Sequence, residues 1–172
     1  VDVAGQRTGY KNFYFTLLAL ERLLKKDVGL ALVCAGGGEF SEQEKQMLAG
    51  LGMKDRAFYH RADDAALRQL YAQARLFIIP SLYEGFGLPL IEAMSCGCPV
   101  LSSNQGALPE IGEDAARYYE PKDAAGLAKA VEEMVGDRLL REELSARGRA
   151  QAAKYSWADT ARQTLNLYRK LI

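Results

Sequence analysis

Short apolar runs closed by Gly or Pro alternate along this chain with stretches whose apolar residues recur every three or four positions. Phe13, Leu17, Leu20 and Leu24 stand four, three and four apart, one face of a helix. Leu67, Leu70, Tyr71 and Ala74 make a second such stripe, and Leu127, Val131 and Met134 a third, opened by Asp123 as N-cap. Ser41 with Glu44 forms a capping box that starts a helix fading near Gly50 to Gly52. Another helix is expected from Arg138 to about Ala153. Ser156 should cap a last one, with Trp157, Ala161, Leu165, Tyr168 and Ile172 on one side. Between these stripes, Val1–Ala4, Leu30–Cys34, Ala57–Tyr59, Leu76–Ile79, Pro99–Ser102 and Arg117–Tyr119 read as strands. Strands separated mostly by helices imply crossover connections and a parallel sheet covered on both faces. The pattern therefore predicts an α/β protein: a three-layer α/β/α Rossmann-like domain, residues 1–172, with about six parallel strands and the helices of 138–172 packed on it.

In such sheets ligands bind beyond the carboxyl ends of the strands. The loops over 5–11, 35–40, 59–64, 81–88 and 102–110 all follow strands, so they should share one rim. The stretch Pro80 to Pro99, PSLYEGFGLPLIEAMSCGCP, dominates that rim. Pro89 suits the first turn of a helix, where its missing N–H is no loss. The start of that helix offers unpaired N–H groups and the positive end of a dipole, a place for phosphate. Gly85 and Gly87 let a ligand approach the main chain. Glu84 and Glu92 flank the site, and a carboxylate accepts hydrogen bonds from hydroxyls. Arg7 and Lys11, after the first strand, face it and together would clamp a diphosphate. A molecule with a charged middle and hydroxyl-rich ends, such as a sugar nucleotide, fits. A tight turn with nothing bound accounts for GFGLP equally well, and solvated cations for Arg7 and Lys11 singly.

Other chemistries find no support. Gly36-Gly37-Gly38 lacks the third Gly of the dinucleotide fingerprint, and GxxxxGK is absent. No His, Cys, Asp or Glu group has metal-ligand spacing, so no metal and no cofactor is expected. His60, the only His, is given no catalytic role, and Ser81 and Ser95 have no evident base. Lys plus Arg equals Asp plus Glu at 22 each, which leaves no electrostatic footprint for nucleic acid. Hydrophobic content of 49% without a run of about 20 apolar residues gives no transmembrane segment. Cys34, Cys96 and Cys98 read as buried thiols of a reducing compartment. VDVAG looks like a strand already under way, so a piece of a longer protein is expected.

Glu84 to Glu92, EGFGLPLIE, resembles the E-x7-E motif of retaining glycosyltransferases with the two-domain GT-B fold, specifically glycosyltransferase family 4. The likeness extends through GQRTGYKN, CAGGGE, LYAQARLFIIPSLYEGFGLPLIEAM, GCPVLSSNQGALPEIGEDAARYYEP and YSW, and among subgroups is strongest to mannosyltransferase-type bacterial members. The resemblance implies a donor-binding half that moves a sugar from a nucleotide-diphosphate sugar to an acceptor. Glu84 would meet hydroxyls of the transferred sugar, and Glu92 the nucleotide ribose. The amides around Gly85, Phe86, Gly87 and Leu88 would meet the diphosphate and sugar, with Lys11 and Arg7 neutralising the leaving diphosphate. The family often has Arg where this chain has Gln6, with Arg7 one step on. Gly36, Tyr59 and His60 fall in the loops that resemble the base-binding wall. It further implies an acceptor bound mainly by a missing N-terminal domain, without which this piece is inactive. The implied location is cytoplasmic, with peripheral attachment to the inner membrane left open for the longer protein. A sugar-nucleotide 2-epimerase or a non-catalytic sugar-nucleotide-binding module remains an alternative.

Overall fold

The computed structural model describes residues 2–3, 7 and 9–171. Val1, Ala4, Gln6 and Ile172, all assigned above, lie outside the described residues. Within these residues six strands run in order: β1 (Asp2–Val3), β2 (Leu32–Ala35), β3 (Ala57–His60), β4 (Phe77–Ile79), β5 (Val100–Ser103) and β6 (Ala116–Tyr119). Eight α-helices accompany them among the described residues: α1 (Phe13–Lys26), α2 (Glu42–Gly50), α3 (Asp64–Gln73), α4 (Leu88–Ser95), α5 (Leu108–Gly112), α6 (Ala124–Gly136), α7 (Arg138–Ala152) and α8 (Trp157–Leu171). A 3₁₀ turn over Gly9–Lys11 precedes α1.

All pairings are parallel, in the orders β1-β2-β3 and β4-β5-β6. The single six-stranded sheet expected from sequence is thus two three-stranded ladders among the described residues. β1 lies beside β4, but its described part spans two residues and forms no ladder with β4. The spatial sequence 3-2-1 then 4-5-6 still reverses direction between β1 and β4. That reversal is the switch point beside which ligands of open α/β sheets bind.

Side chains alternate across the strands and split the core in two. Ile78 and Leu101 join α1 and α6 residues such as Leu17, Leu20, Leu127 and Met134 on one side. Phe77, Ile79 and Val100 turn the other way, against Tyr71, Leu90, Met94 and Leu108 of α3, α4 and α5. The helix starts follow the sequence closely. Ser41 and Glu44 close the capping box of α2, and Asp63, Asp123 and Asp137 accept from the third residue beyond them at α3, α6 and α7. The two helices of 138–172 differ in their packing. α7 lies on α4 and α6, whereas α8 has no buried residue among those described, and Trp157 is 77% exposed. The helix is amphipathic, and the apolar stripe carrying Trp157, Leu165 and Tyr168 is exposed. No helix among the described residues is long and apolar enough to cross a membrane.

Candidate active site

The loops after β1 and β4 meet across the switch point. Tyr10 O accepts from Leu82 N at 2.7 Å, which ties the turn before Lys11 to the loop holding Glu84. Asn12 follows with φ 58, and its Nδ2 donates to Pro121 O at 2.9 Å, fixing where Lys11 leaves the backbone. Lys11 Nζ then donates to Glu84 Oε1 at 2.6 Å, both side chains being largely buried. Ser81 Oγ donates to the same oxygen at 2.6 Å. Among the described residues Oε1 takes both donors and Oε2 takes none, so the carboxylate is held by one oxygen.

That loop is braced from β5 and the segment after it. Ser103 Oγ, fully buried, donates to Ser81 O at 2.6 Å, and Ala107 N donates to Glu84 O at 3.0 Å. Gly106 packs directly on the Glu84 backbone. Gly85 leads into Phe86, which is partly exposed and sets its ring edge-on to Tyr155 at 6.0 Å. Gly87, with φ 100, is the N-cap of α4, and Leu88 and Pro89 form its first turn, where helix N–H groups have no partner inside the helix. Glu84 and the start of α4 therefore sit together at the switch point.

Glu92 lies one turn further along α4, on the side facing α3. Its Oε2 accepts from Tyr71 OH at 3.4 Å, in a cleft also lined by Arg68 and Ser95. Burial and the Glu92 charge push the Tyr71 phenol well above its ordinary value, so it stays a donor. The two carboxylates of the motif thus face different environments. Among the described residues, no group of three or more His, Cys, Asp or Glu is placed to hold a metal ion.

Arg7 stands apart from its expected place on the diphosphate. Its side chain is buried, and all five donors are engaged. Nε donates to Glu44 Oε1 at 2.8 Å and Nη2 to Glu44 Oε2 at 3.2 Å. Nη1 reaches Gly36 O and Gly38 O, both at 2.8 Å, and Nη2 reaches Glu39 O at 2.9 Å. The rings of Phe40, Phe13 and Tyr59 surround the guanidinium, at 4.9 to 5.8 Å. Burial raises the Glu44 carboxyl, but hydrogen bonds from Arg7 and Ser41 outweigh it and hold the group below its ordinary 4.5. Of the two cations, Lys11 thus meets Glu84, while Arg7 joins Gly36 and Tyr59. His60, at the end of β3, is exposed.

Ser81, Ser103, Gly106 and Glu44 were not singled out for the site by sequence. Ser81 has no evident base in the sequence and acts in the fold as a donor to Glu84. The signal for Glu44 was the capping box, which is real: Oε2 also accepts from Ser41 N at 2.7 Å.

Residues 3–151 match the family model described as glycosyl transferases group 1. The chain is 46% identical over 108 residues to O-antigen chain mannosyltransferase B of Escherichia coli, covering 63% of this chain and 28% of that protein. It is 34% identical over 180 residues to MMP alpha-(1->4)-mannosyltransferase of Mycolicibacterium hassiacum, covering 100% of this chain and 43% of that one. Among solved structures it superposes on Anabaena Alr3699/HepE, in complex with UDP and glucose, with a TM-score of 0.81 at 21% identity. That match covers 99% of this chain and 49% of the neighbour, and shows a shared fold. The chain therefore spans less than half the length of these proteins.

Proposed function

Because the chain belongs to the glycosyl transferases group 1 family, we propose that it is the donor-binding half of a retaining glycosyltransferase acting on a nucleotide-diphosphate sugar, with a mannosyl donor favoured by its relatives. The observation that carries this reading is the Lys11–Glu84 pair at 2.6 Å, set at the switch point beside the start of α4. The diphosphate lies at that helix start, where N–H groups and the dipole favour an anion. Lys11 has three donors and Glu84 uses one, so the ammonium can meet the diphosphate without releasing the carboxylate. Glu84, held through Oε1, turns Oε2 to hydroxyls of the transferred sugar. Glu92 takes the ribose.

As the anomeric C–O bond loosens, negative charge grows on the leaving diphosphate. Lys11 and the α4 terminus are fixed in advance for that charge, and one such donor is typically worth about 10²–10³ in rate. The acceptor is bound by a part of the protein beyond this chain, so the chain alone binds donor and does not transfer sugar.

A thermal-shift panel of UDP, GDP and ADP with their common sugars tests this. Ligand at a hundred times Kd adds about 2.7 kcal/mol, and at roughly 2–4 °C per kcal/mol the midpoint should rise by about 5–11 °C. Glu92→Gln should weaken nucleotide and sugar nucleotide alike, whereas Glu84→Gln should weaken only the sugar nucleotide. No shift with any nucleotide refutes the function, and equal losses for both variants refute the division of roles.

A further inference from the structure

Gly36, Gly37 and Gly38 have φ of 94, 70 and 78. Three successive residues in the left-handed region need Gly, and Gly holds a shape least well of all residues. Among the described residues no turn or loop backbone hydrogen bond is made by 36–40. The shape of this loop rests instead on one side chain, from a different loop. Arg7 takes the carbonyls of Gly36, Gly38 and Glu39, and is itself anchored on both oxygens of Glu44 in the first turn of α2. Phe13 and Phe40, stacked with centroids 6.1 Å apart, close around the same guanidinium.

The arrangement has a direction. In a trans peptide the C=O and the next N–H point opposite ways. With the carbonyls of 36, 38 and 39 turned to Arg7, the N–H groups of Gly37, Glu39 and Phe40 turn away from it. The loop follows β2 and lies beside Tyr59, whose ring is 5.8 Å from the Arg7 guanidinium, on the rim where the donor is proposed to bind.

We propose that Arg7 is a positioning residue, not a phosphate ligand: with Glu44 it holds the 36–40 loop so that its outward N–H groups receive the nucleoside end of the donor. This rests on the proposed nucleotide-sugar function. Arg is required because a bidentate bond to Glu44 and three carbonyl bonds need the planar five-donor fork, which Lys lacks. The cation is spent inside the protein and adds no charge to the diphosphate subsite.

Affinities of nucleoside monophosphate and diphosphate should be measured by calorimetry for wild type, Arg7→Lys, Arg7→Met, Glu44→Gln and the double variant Arg7→Met/Glu44→Gln. All are run below the lowest melting midpoint, with hydrogen exchange of 37–40 recorded without ligand. Arg7→Lys and Arg7→Met should each lose about tenfold, equivalent to ~1.4 kcal/mol, and by the same factor for both nucleotides. Glu44→Gln should lose affinity in the same uniform way, the double variant should be no worse than Arg7→Met, and the 37–40 amides should exchange faster in each. A phosphate contact gives the opposite picture: Arg7→Lys near wild type, a diphosphate loss far larger than the monophosphate loss, and Glu44→Gln without effect. That result, or unchanged exchange at 37–40, overturns the proposal. A wild type that binds no nucleotide overturns the functional reading and this role with it.

Discussion

Gly106→Ala is the sharpest probe of how Glu84 is held. Gly106 has φ 61, a conformation in which a Cβ costs an ordinary residue roughly 1–2 kcal/mol. That Cβ would also stand 3.0 Å from Glu84 N and closer still to Glu84 O, both backbone atoms that no rotamer change can withdraw. Relief requires the 81–88 loop and the 104–107 segment to part by something on the order of 1 Å, a displacement that can cost about 10²-fold in rate or transition-state binding. The same movement strains the Ala107 N to Glu84 O bond, now 3.0 Å, worth about 1 kcal/mol. Together these give a stability loss of roughly 2–3 kcal/mol, or a midpoint lower by about 4–12 °C. The melting midpoint by circular dichroism and sugar-nucleotide affinity by calorimetry should both fall, and bare nucleotide affinity should fall less. Gly106→Asn separates the causes. Asn tolerates φ 61 better but carries the same Cβ, so it should behave like Ala if the contact dominates. A Gly106→Ala protein with an unchanged midpoint and unchanged donor affinity would refute the reasoning.

Two further outcomes follow from the same contacts. Ser81→Ala removes a buried hydroxyl that donates to a carboxylate, a bond of about 1.5–3 kcal/mol, and should lower sugar-nucleotide affinity roughly tenfold with bare nucleotide unaffected. Equal losses for the two ligands would contradict the positioning of Glu84. Glu44, whose carboxyl is held below 4.5 in the fold, contributes stability that is present above its unfolded value and is lost as pH falls through the folded one. The midpoint advantage of wild type over Glu44→Gln should therefore be full near pH 6 and shrink below about pH 4.5. An advantage that is constant or grows toward acid would contradict the assignment.

Much of this is legible in the sequence, and the reasons are local. Helix starts are written within four residues, as Ser41 with Glu44 and Asp123 with Gly126 show, and strands in apolar runs such as Phe77 to Ile79. The motif Glu84 to Glu92 is a strand, turn and helix start in one stretch, so its place on the rim followed from order alone. The periodicity of α8 was equally plain, yet a stripe marks a face and not its partner.

The order of strands and helices, the class of the fold and the stretch that carries the carboxylates are readable from the chain alone. They are so because those features depend on neighbours a few residues away. Which partner each charged side chain meets is set by the folded arrangement instead. Arg7 and Lys11 stand four positions apart with the same charge. One reaches 37 residues along the chain to Glu44, and the other 73 residues to Glu84. Which of the two is spent inside the protein and which faces the switch point depends on where β2 and β4 bring their loops. No window of sequence contains both ends of either pair.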